Sequence, residues 1–83
     1  MTVTVRYFAA AAEAAGVAQE ILDAGSARTA GELRATIVAA HGPGLARVLP
    51  RCSLLAAGLR LDDDAATVPP GVTVDVLPPF AGG

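Results

Sequence analysis

The chain of 83 residues has the length of one small domain, is 53% hydrophobic and carries a net charge of −2. Its six basic residues are all arginines and are scattered, so no basic patch indicates nucleic-acid binding. The absence of lysine excludes Schiff-base chemistry and isopeptide formation on a lysine side chain of this protein, and the single cysteine, Cys52, excludes an internal disulfide and a thiolate metal cluster.

The start of the chain predicts neither a signal peptide nor a membrane segment. Met1 leads directly into alternating strand residues, and no apolar run is long enough to span a bilayer. With a single cysteine, this pattern fits a reducing cytosol. We therefore expect a cytoplasmic protein with neither a nucleic acid nor a membrane as partner.

The first predicted element is a strand over residues 2–8, where polar and apolar residues alternate. Val3, Val5 and Tyr7 share one face of this strand. Phe8 falls in the polar register and is expected at an exposed edge, where it either packs locally or docks a partner.

A short helix and a second strand are predicted next. The alanine-rich segment 9–15 favours a helix that Gly16 ends, and so short a helix must be held by packing. Segment 18–23 is a weaker strand candidate, with Ile21 and Leu22 as its large apolar residues. A loop is expected over residues 24–28.

The main helix is predicted from a capping box, with Thr29 as N-cap and Glu32 reaching back to it. The helix is expected to run to about His41. The apolar residues at helical spacing are expected to face the sheet: Leu33, Ile37 and Ala40, with Val38 alongside.

The single histidine, His41, falls in the last turn of this helix. Its expected role is a helix-end cation or a C-cap donor, since no partner histidine, cysteine or carboxylate stands at ligand spacing. The following Gly42-Pro43-Gly44 is expected to stop the helix as a turn. A phosphate loop is disfavoured because neither lysine nor the required spacing follows.

The segment after this turn predicts a short helical turn over residues 45–49, ended by Pro50. Residues 52–57 read as a buried strand, in which Cys52 is a small core residue. A turn at Gly58 is followed by a short apolar alternation at Leu59 and Leu61. The three aspartates at 62–64 predict a solvated turn, because the spacing of a calcium loop is missing.

The last stretch, residues 72–83, begins as an alternating strand and ends in two glycines. Pro78 and Pro79 cannot donate to a sheet, so the strand is expected to end there and the chain to leave in an extended direction. The residues after Phe80 carry almost no side chain, which suggests a carboxylate presented to another protein. The alternative is an uninformative terminus or a linker remnant.

The order of elements predicts an α+β fold in which a mixed sheet packs on one main helix. We expect one domain over residues 1–83, with a flexible C-terminal tail over residues 78–83.

At this point the chain resembles a known family, the MoaD/ThiS sulfur carriers. The segment VRYFAAAAEAAG, residues 5–16, resembles their opening, and PPGVTVDVLPPFAGG, residues 69–83, resembles their ending. The MoaD branch, the small subunit of molybdopterin synthase, fits best. The chain departs from the family in two places. Ala12 stands before Glu13 where the family usually carries arginine, and Phe80-Ala81 occupies positions that vary in the family. Both bear on which partner is used.

The resemblance implies a ubiquitin-like β-grasp fold and a carrier role without catalysis or a bound cofactor. It implies that a ubiquitin-activating-type adenylating enzyme uses ATP to adenylate the Gly83 carboxylate. A sulfur donor protein then supplies sulfur in place of AMP, giving a thiocarboxylate. In the MoaD branch the tail inserts into the large synthase subunit and donates sulfur to the dithiolene of molybdopterin.

The position of the apolar residues suggests a docking surface beside the tail. We expect Phe8, Leu59 and Phe80 to contact partners along with Ala81, while Gly82 and Gly83 leave the acyl carbon uncrowded. Packing of Phe80 onto the domain's own edge is the alternative. Two other functions stay open from the sequence: a sulfur carrier for thiazole or cysteine synthesis, and a β-grasp interaction module with an incidental diglycine.

Overall fold

A mixed five-stranded sheet forms the centre of the computed structural model, which describes residues 2–61 and 63–79. Its strands along the chain are β1 (Thr2–Tyr7), β2 (Gln19–Asp23), β3 (Ser53–Ala56), β4 (Leu59–Arg60) and β5 (Thr73–Leu77). Their order across the sheet is β2-β1-β5-β3-β4, with β1 and β5 parallel and the other neighbours antiparallel. The predicted α+β architecture is confirmed, and the last strand lies at its centre.

The described helices are α1 (Ala10–Ala15), α2 (Ala30–His41), α3 (Pro43–Val48) and a 3-10 turn over Leu49–Arg51. The predicted end of α1 is confirmed, because Gly16 adopts a left-handed conformation with φ of 79° and its N–H donates to the carbonyl of Ala12. A residue with a side chain would be strained at this φ, so glycine suits the position.

The predicted capping box of α2 is also confirmed. The Thr29 hydroxyl accepts from the Glu32 backbone N–H at 3.3 Å, and the Glu32 carboxylate accepts from the Thr29 backbone N–H at 3.1 Å. These two bonds satisfy donors that the first helical turn leaves free, and so they fix where α2 begins. The helix ends at His41, as predicted.

The core lies between one face of the sheet and the helices. Alternation predicts it correctly in β1 and β5, where every second residue is buried. The large side chains with less than 2% exposure, or close to it, come from both layers: Val3, Val5, Leu33, Ile37, Leu45, Leu49, Leu54, Val68, Val74 and Val76. Among the described residues no polar or charged residue is fully buried, so the core is held by apolar packing.

Two details of α2 and α3 differ from the prediction. Ala40 is exposed, because His41, four residues after Ile37, takes the sheet-facing position at the end of the helix. The Gly42-Pro43-Gly44 segment ends α2 but also begins α3, since proline is favoured at the first position of a helix. Pro50 does not end the helical segment, because the same preference places it within the 3-10 turn.

The strand predicted over residues 52–57 is shorter at both ends. Cys52 precedes β3 and is buried, which confirms it as a core residue, and burial raises the pKa of its thiol. Ala57 and Gly58 have φ values of 51° and 82° and form a two-residue turn into β4. Two positive φ values in succession match the twist of the flanking strands, which explains why β3 stops at Ala56.

The acidic segment is only partly described, because Asp62 lies outside the described residues. Asp63 and Asp64 are exposed, and the Asp63 carboxylate accepts from the Ala65 backbone N–H at 2.8 Å. This bond is that of an aspartate turn, in line with the predicted solvated turn.

Candidate functional site

The chain leaves the sheet from its centre, where β5 ends. Val76 pairs with Tyr7 of β1 and Leu77 with Ser53 of β3, so β5 is paired with β3 up to its last residue and with β1 up to the residue before it. Pro78 and Pro79 follow, which confirms the predicted end of the strand. We call this end of the sheet the exit.

The predicted tail residues lie outside the described part of the chain. They are Phe80, Ala81, Gly82 and Gly83. Their roles as partner contacts and as the sulfur-carrying terminus therefore stay predictions.

Phe8 lies beside the exit. Its backbone N–H donates to the carbonyl of Val76 at 3.2 Å, and its ring is 38% exposed. The Arg6 guanidinium carbon lies 5.6 Å from the ring centroid, within the range of a cation–π contact. The ring is thus held by a charged neighbour and still presents an apolar surface next to the departing chain.

Leu59 does not lie with Phe8. It is 73% exposed on the edge strand β4 and pairs with Ala56 of β3. Ala56 pairs on its other side with Val74, three residues before β5 ends. Because cross-strand partners share a face, Leu59 stands on the face of buried Ala56, whereas Phe8 stands on the face of Arg6. The two predicted contacts therefore belong to separate parts of the surface, and their docking roles stay predictions.

An ion pair that the sequence did not reveal joins β1 to β5 below the exit. Arg6 donates from Nε to Asp75 Oδ1 at 2.6 Å and from a terminal nitrogen to Oδ2 at 2.8 Å. The hydrogen bond and charge of Asp75 raise the pKa of Arg6. This two-point contact orients the guanidinium beneath the Phe8 ring and fixes the register of the two parallel strands.

A second polar cluster, also missed, joins β1, β2 and α2. The Tyr7 hydroxyl donates to Glu20 Oε2 at 2.6 Å, and His41 Nε2 contacts the same oxygen. The His41 and Tyr7 rings meet edge to face with centroids 5.6 Å apart. The sequence predicts only a helix-end cation or C-cap donor for His41, and it misses this contact because Glu20 comes from a strand 21 residues away in sequence.

The cluster ties the end of α2 to the sheet. Tyr7 is buried, whereas Glu20 and His41 are only partly buried, and Glu20 is shared by both neighbours. Among residues 2–61 and 63–79, no group of three histidine, cysteine, aspartate or glutamate side chains is placed to hold a metal ion. The geometry therefore supports a structural role.

Comparison with solved structures gives full-length matches. The chain is similar to SAMP1 from Haloferax volcanii, with 25% identity, a TM-score of 0.81 and coverage of 100% of both chains. It is equally similar in sequence, at 25%, to a chain in the complex of subunits 1 and 2 of molybdopterin-converting factor from Helicobacter pylori, with a TM-score of 0.68 and 100% coverage of both chains. The chain is a ubiquitin-like β-grasp protein.

Another match supports the fold of this β-grasp protein alone. The putative molybdopterin-converting factor subunit 1 from Pyrococcus furiosus is 20% identical, with a TM-score of 0.78, covering 96% of this chain and 99% of that one. These neighbours confirm the resemblance to MoaD/ThiS-type sulfur carriers. No protein-family model matches the sequence, and no curated protein matches it.

Within residues 2–61 and 63–79 of this β-grasp protein, no helix combines the length and the apolar character needed to cross a bilayer.

The Glu20 cluster predicts how the stability of the β-grasp protein depends on pH. Burial opposes ionisation of Glu20, but hydrogen bonds from Tyr7 and His41 outweigh it and hold the pKa of this carboxyl below its ordinary 4.5. Burial, with the hydrogen bond to Glu20, raises the pKa of Tyr7 above its ordinary 10.0. The Glu20 contribution is therefore present above pH 4.5 and lost as pH falls further, and the Tyr7 contribution is present below pH 10.0 and lost as pH rises.

Urea unfolding measured at several pH values checks this expectation. Glu20→Gln should flatten the loss of unfolding free energy below pH 4.5, and Tyr7→Phe should flatten the loss above pH 10.0. The control is Glu13→Gln, since Glu13 is exposed on α1. Equal acid-side slopes for the wild type and Glu20→Gln would show that the cluster is not what stabilises the protein against acid.

Proposed function

We propose that this protein is a sulfur carrier that donates sulfur in molybdopterin synthesis. An adenylating enzyme uses ATP to convert the Gly83 carboxylate to an acyl-adenylate. Hydrosulfide, released from a persulfide of a donor protein by a thiol reductant, attacks the acyl carbon and AMP leaves, which gives a thiocarboxylate. The terminal residues then enter the large subunit of molybdopterin synthase, where the sulfur is transferred to the dithiolene and water restores the Gly83 carboxylate.

The observation that carries this proposal is the full-length likeness to the complex of subunits 1 and 2 of molybdopterin-converting factor. The position of β5 supports it, because a strand paired on both sides holds the base of the tail in a fixed place. Phe8 offers an apolar surface beside this base. A partner that recognises this end of the sheet would receive the terminal residues in one direction.

The chemistry agrees with the residues that the chain provides. A carboxylate is a poor electrophile, and adenylation supplies the leaving group that it lacks. Two glycines at the end of the sequence place no side chain next to the acyl carbon, so an attacking group can approach it. The carrier needs no catalytic side chain of its own, because adenylation and sulfur transfer take place in the partners.

Sulfur loading in vitro tests the proposal. The purified chain is incubated with the adenylating enzyme of the same organism, ATP and a sulfur donor, and its intact mass is measured. The expected result is the gain that corresponds to exchanging one oxygen atom for sulfur, followed by loss of that sulfur to the molybdopterin precursor when the large subunit is added. A chain that gains no sulfur contradicts the carrier role, and a loaded chain that gives sulfur only to another acceptor contradicts the molybdopterin assignment.

A second candidate function is protein modification, favoured by the likeness to SAMP1, a small archaeal modifier protein. The same acyl-adenylate would then be attacked by a lysine amine of a target, forming an isopeptide bond and releasing AMP. The chain contains no lysine, so its own side chains would not accept such a bond. Target lysines that carry the last residues of this chain, found by mass spectrometry of cell extracts, would separate this function from sulfur transfer.

A further inference from the structure

A groove with two arginines opens beside the exit. It has a volume of about 300 Å³ and is lined by one α1 residue, the last turns of the helical segment and the two prolines after β5: Ala10, Arg47, Val48, Arg51, Pro78 and Pro79. Four of these residues are apolar, and no acidic residue is among them. A protein that takes up the terminal residues comes close to this groove, because Pro78 and Pro79, which precede them in sequence, form part of its wall.

The two guanidinium groups are available to a ligand. Arg47 and Arg51 are exposed, and neither forms an ion pair or a side-chain hydrogen bond with any of residues 2–61 and 63–79. By contrast, Arg6 is paired with Asp75, and Arg34 donates to the carbonyls of Leu49 and Cys52. Two exposed cations without internal partners next to an apolar floor are suited to an anionic chain segment.

The lining of the groove is opposite in charge to the whole protein. The net charge is −2, whereas the groove is lined by Arg47 and Arg51 and by no acidic side chain. The nearby carboxylate of Asp75 is paired with Arg6. Because charges are screened within about 8–10 Å at physiological salt, the groove acts on groups that come into contact with the exit. It therefore orients a partner at close range.

The competing explanation for Arg47 and Arg51 is that they stabilise the domain itself. Arg47 and Arg51 each lie in the last turn of a helical element, where a cation interacts favourably with the helix end. That role predicts loss of stability on substitution, whereas a docking role predicts loss of binding with stability unchanged. The two explanations therefore give different results in one set of variants.

We infer that this groove docks an acidic segment of the large synthase subunit, with carboxylates on Arg47 and Arg51 and apolar side chains against Val48 and the prolines. The inference rests on the proposed function for its class of partner. It adds a recognition surface that includes the first two tail residues, Pro78 and Pro79, but neither Phe8 nor Leu59.

Binding measured with purified partners tests the inference. The probes are the adenylating enzyme and the large synthase subunit of the same organism, each titrated with the full chain at low salt and at ~0.5 M NaCl, where screening is strong. The double variant Arg47→Glu/Arg51→Glu should bind the large subunit about tenfold more weakly at low salt, with a smaller difference at high salt. A loss confined to the adenylating enzyme would overturn the inference. Arg47→Gln/Arg51→Gln should lose less affinity than the charge-reversed variant. It replaces that variant in the test if charge reversal prevents folding.

The matched control is Arg28→Glu, which lowers the net charge by as much as Arg47→Gln/Arg51→Gln does, but in the loop before α2, at the other end of the sheet. It should leave affinity within about twofold, as for an exposed charge outside the interface. Unchanged affinity of both double variants, an equal loss in the control, or a fall in unfolding free energy that accounts for the loss would overturn the inference. So would stronger binding after charge reversal, which would mean that the groove holds the chain's own last residues, or dissociation of a homodimer by the variants.

The inference and the proposed function fail in different ways. A wild-type chain that binds the partners through the groove but gains no sulfur refutes the sulfur-carrier function and leaves the docking surface standing. If the wild-type chain gains sulfur and both double variants bind the partner as tightly as the wild type, the docking surface alone is refuted. A wild-type chain that binds neither partner overturns both.

Discussion

Adding one alanine after Gly83 is expected to abolish sulfur loading while leaving the fold unchanged. The extension moves the reactive carboxylate by about 3.5 Å, the length of one extended residue, and places a methyl group beside it. Since a displacement of 1 Å already lowers rates by about 100-fold, the loaded fraction should fall below detection. Deleting Gly83 shifts the carboxylate by the same distance in the other direction and should have the same effect.

Intact-mass measurement after incubation with the adenylating enzyme, ATP and sulfur donor gives the result for each variant. Ser26→Ala is the control, because it changes an exposed side chain in the loop after β2 and leaves the tail as it is, so it should still be loaded. Thermal unfolding should be the same in all four proteins, since the changes lie beyond β5 or on an exposed loop. If the extended or truncated chain gains sulfur like the wild type, the carboxylate of Gly83 is not the reactive group.

The second large effect is expected in the core. Ile37→Ala removes a fully buried side chain on the face of α2 that packs on the sheet, and this should lower the free energy of unfolding by about 2–5 kcal/mol. The free energy of unfolding of a small domain is only about 5–15 kcal/mol, so the substitution should remove a large part of it. Leu33→Ala, one turn earlier and 1% exposed, should act in the same range.

Ile21→Ala provides a control with the same chemical change. Ile21 lies on β2 with 72% of its surface exposed, so its truncation should alter stability by about 0.5 kcal/mol or less. Urea unfolding of the three variants beside the wild type makes the comparison. Equal losses for Ile37→Ala and Ile21→Ala would mean that α2 does not pack on the sheet as described.

The parts of the fold that the sequence predicts well are those decided by near neighbours in the chain. Alternation alone identifies the buried faces of β1 and β5, and the Thr29 capping box fixes the start of α2. Gly16 ends α1 through its own positive φ, and the two prolines end β5 because they lack a backbone donor. Each of these outcomes depends on physics that acts within a few residues.

The parts that the sequence did not predict depend on contacts between distant segments. Glu20 meets His41 only because β2 pairs with β1 while α2 is long enough to reach the end of that sheet. Arg6 and Asp75 are 69 residues apart, and their pairing follows from the parallel register of β1 and β5. The same contacts explain why His41 rather than Ala40 completes the inner face of α2.

The candidate site shows the same division. The end of β5 and the exposure of Phe8 follow from local patterns, whereas the separation of Leu59 from Phe8 follows from the strand order. The groove with Arg47 and Arg51 joins three segments that have no shared sequence signal. Its arginines stand in segments that sequence patterns describe only as helical turns and their ends.

The central place of β5 also bears on mechanics. A partner that grips the terminal residues and pulls along the strand must shear two ladders at once, a parallel one against β1 and an antiparallel one against β3. A load applied there is shared by both neighbours, with the Arg6–Asp75 pair as a further link to β1. The paired position of β5 therefore resists unfolding of the domain from that end under such a load.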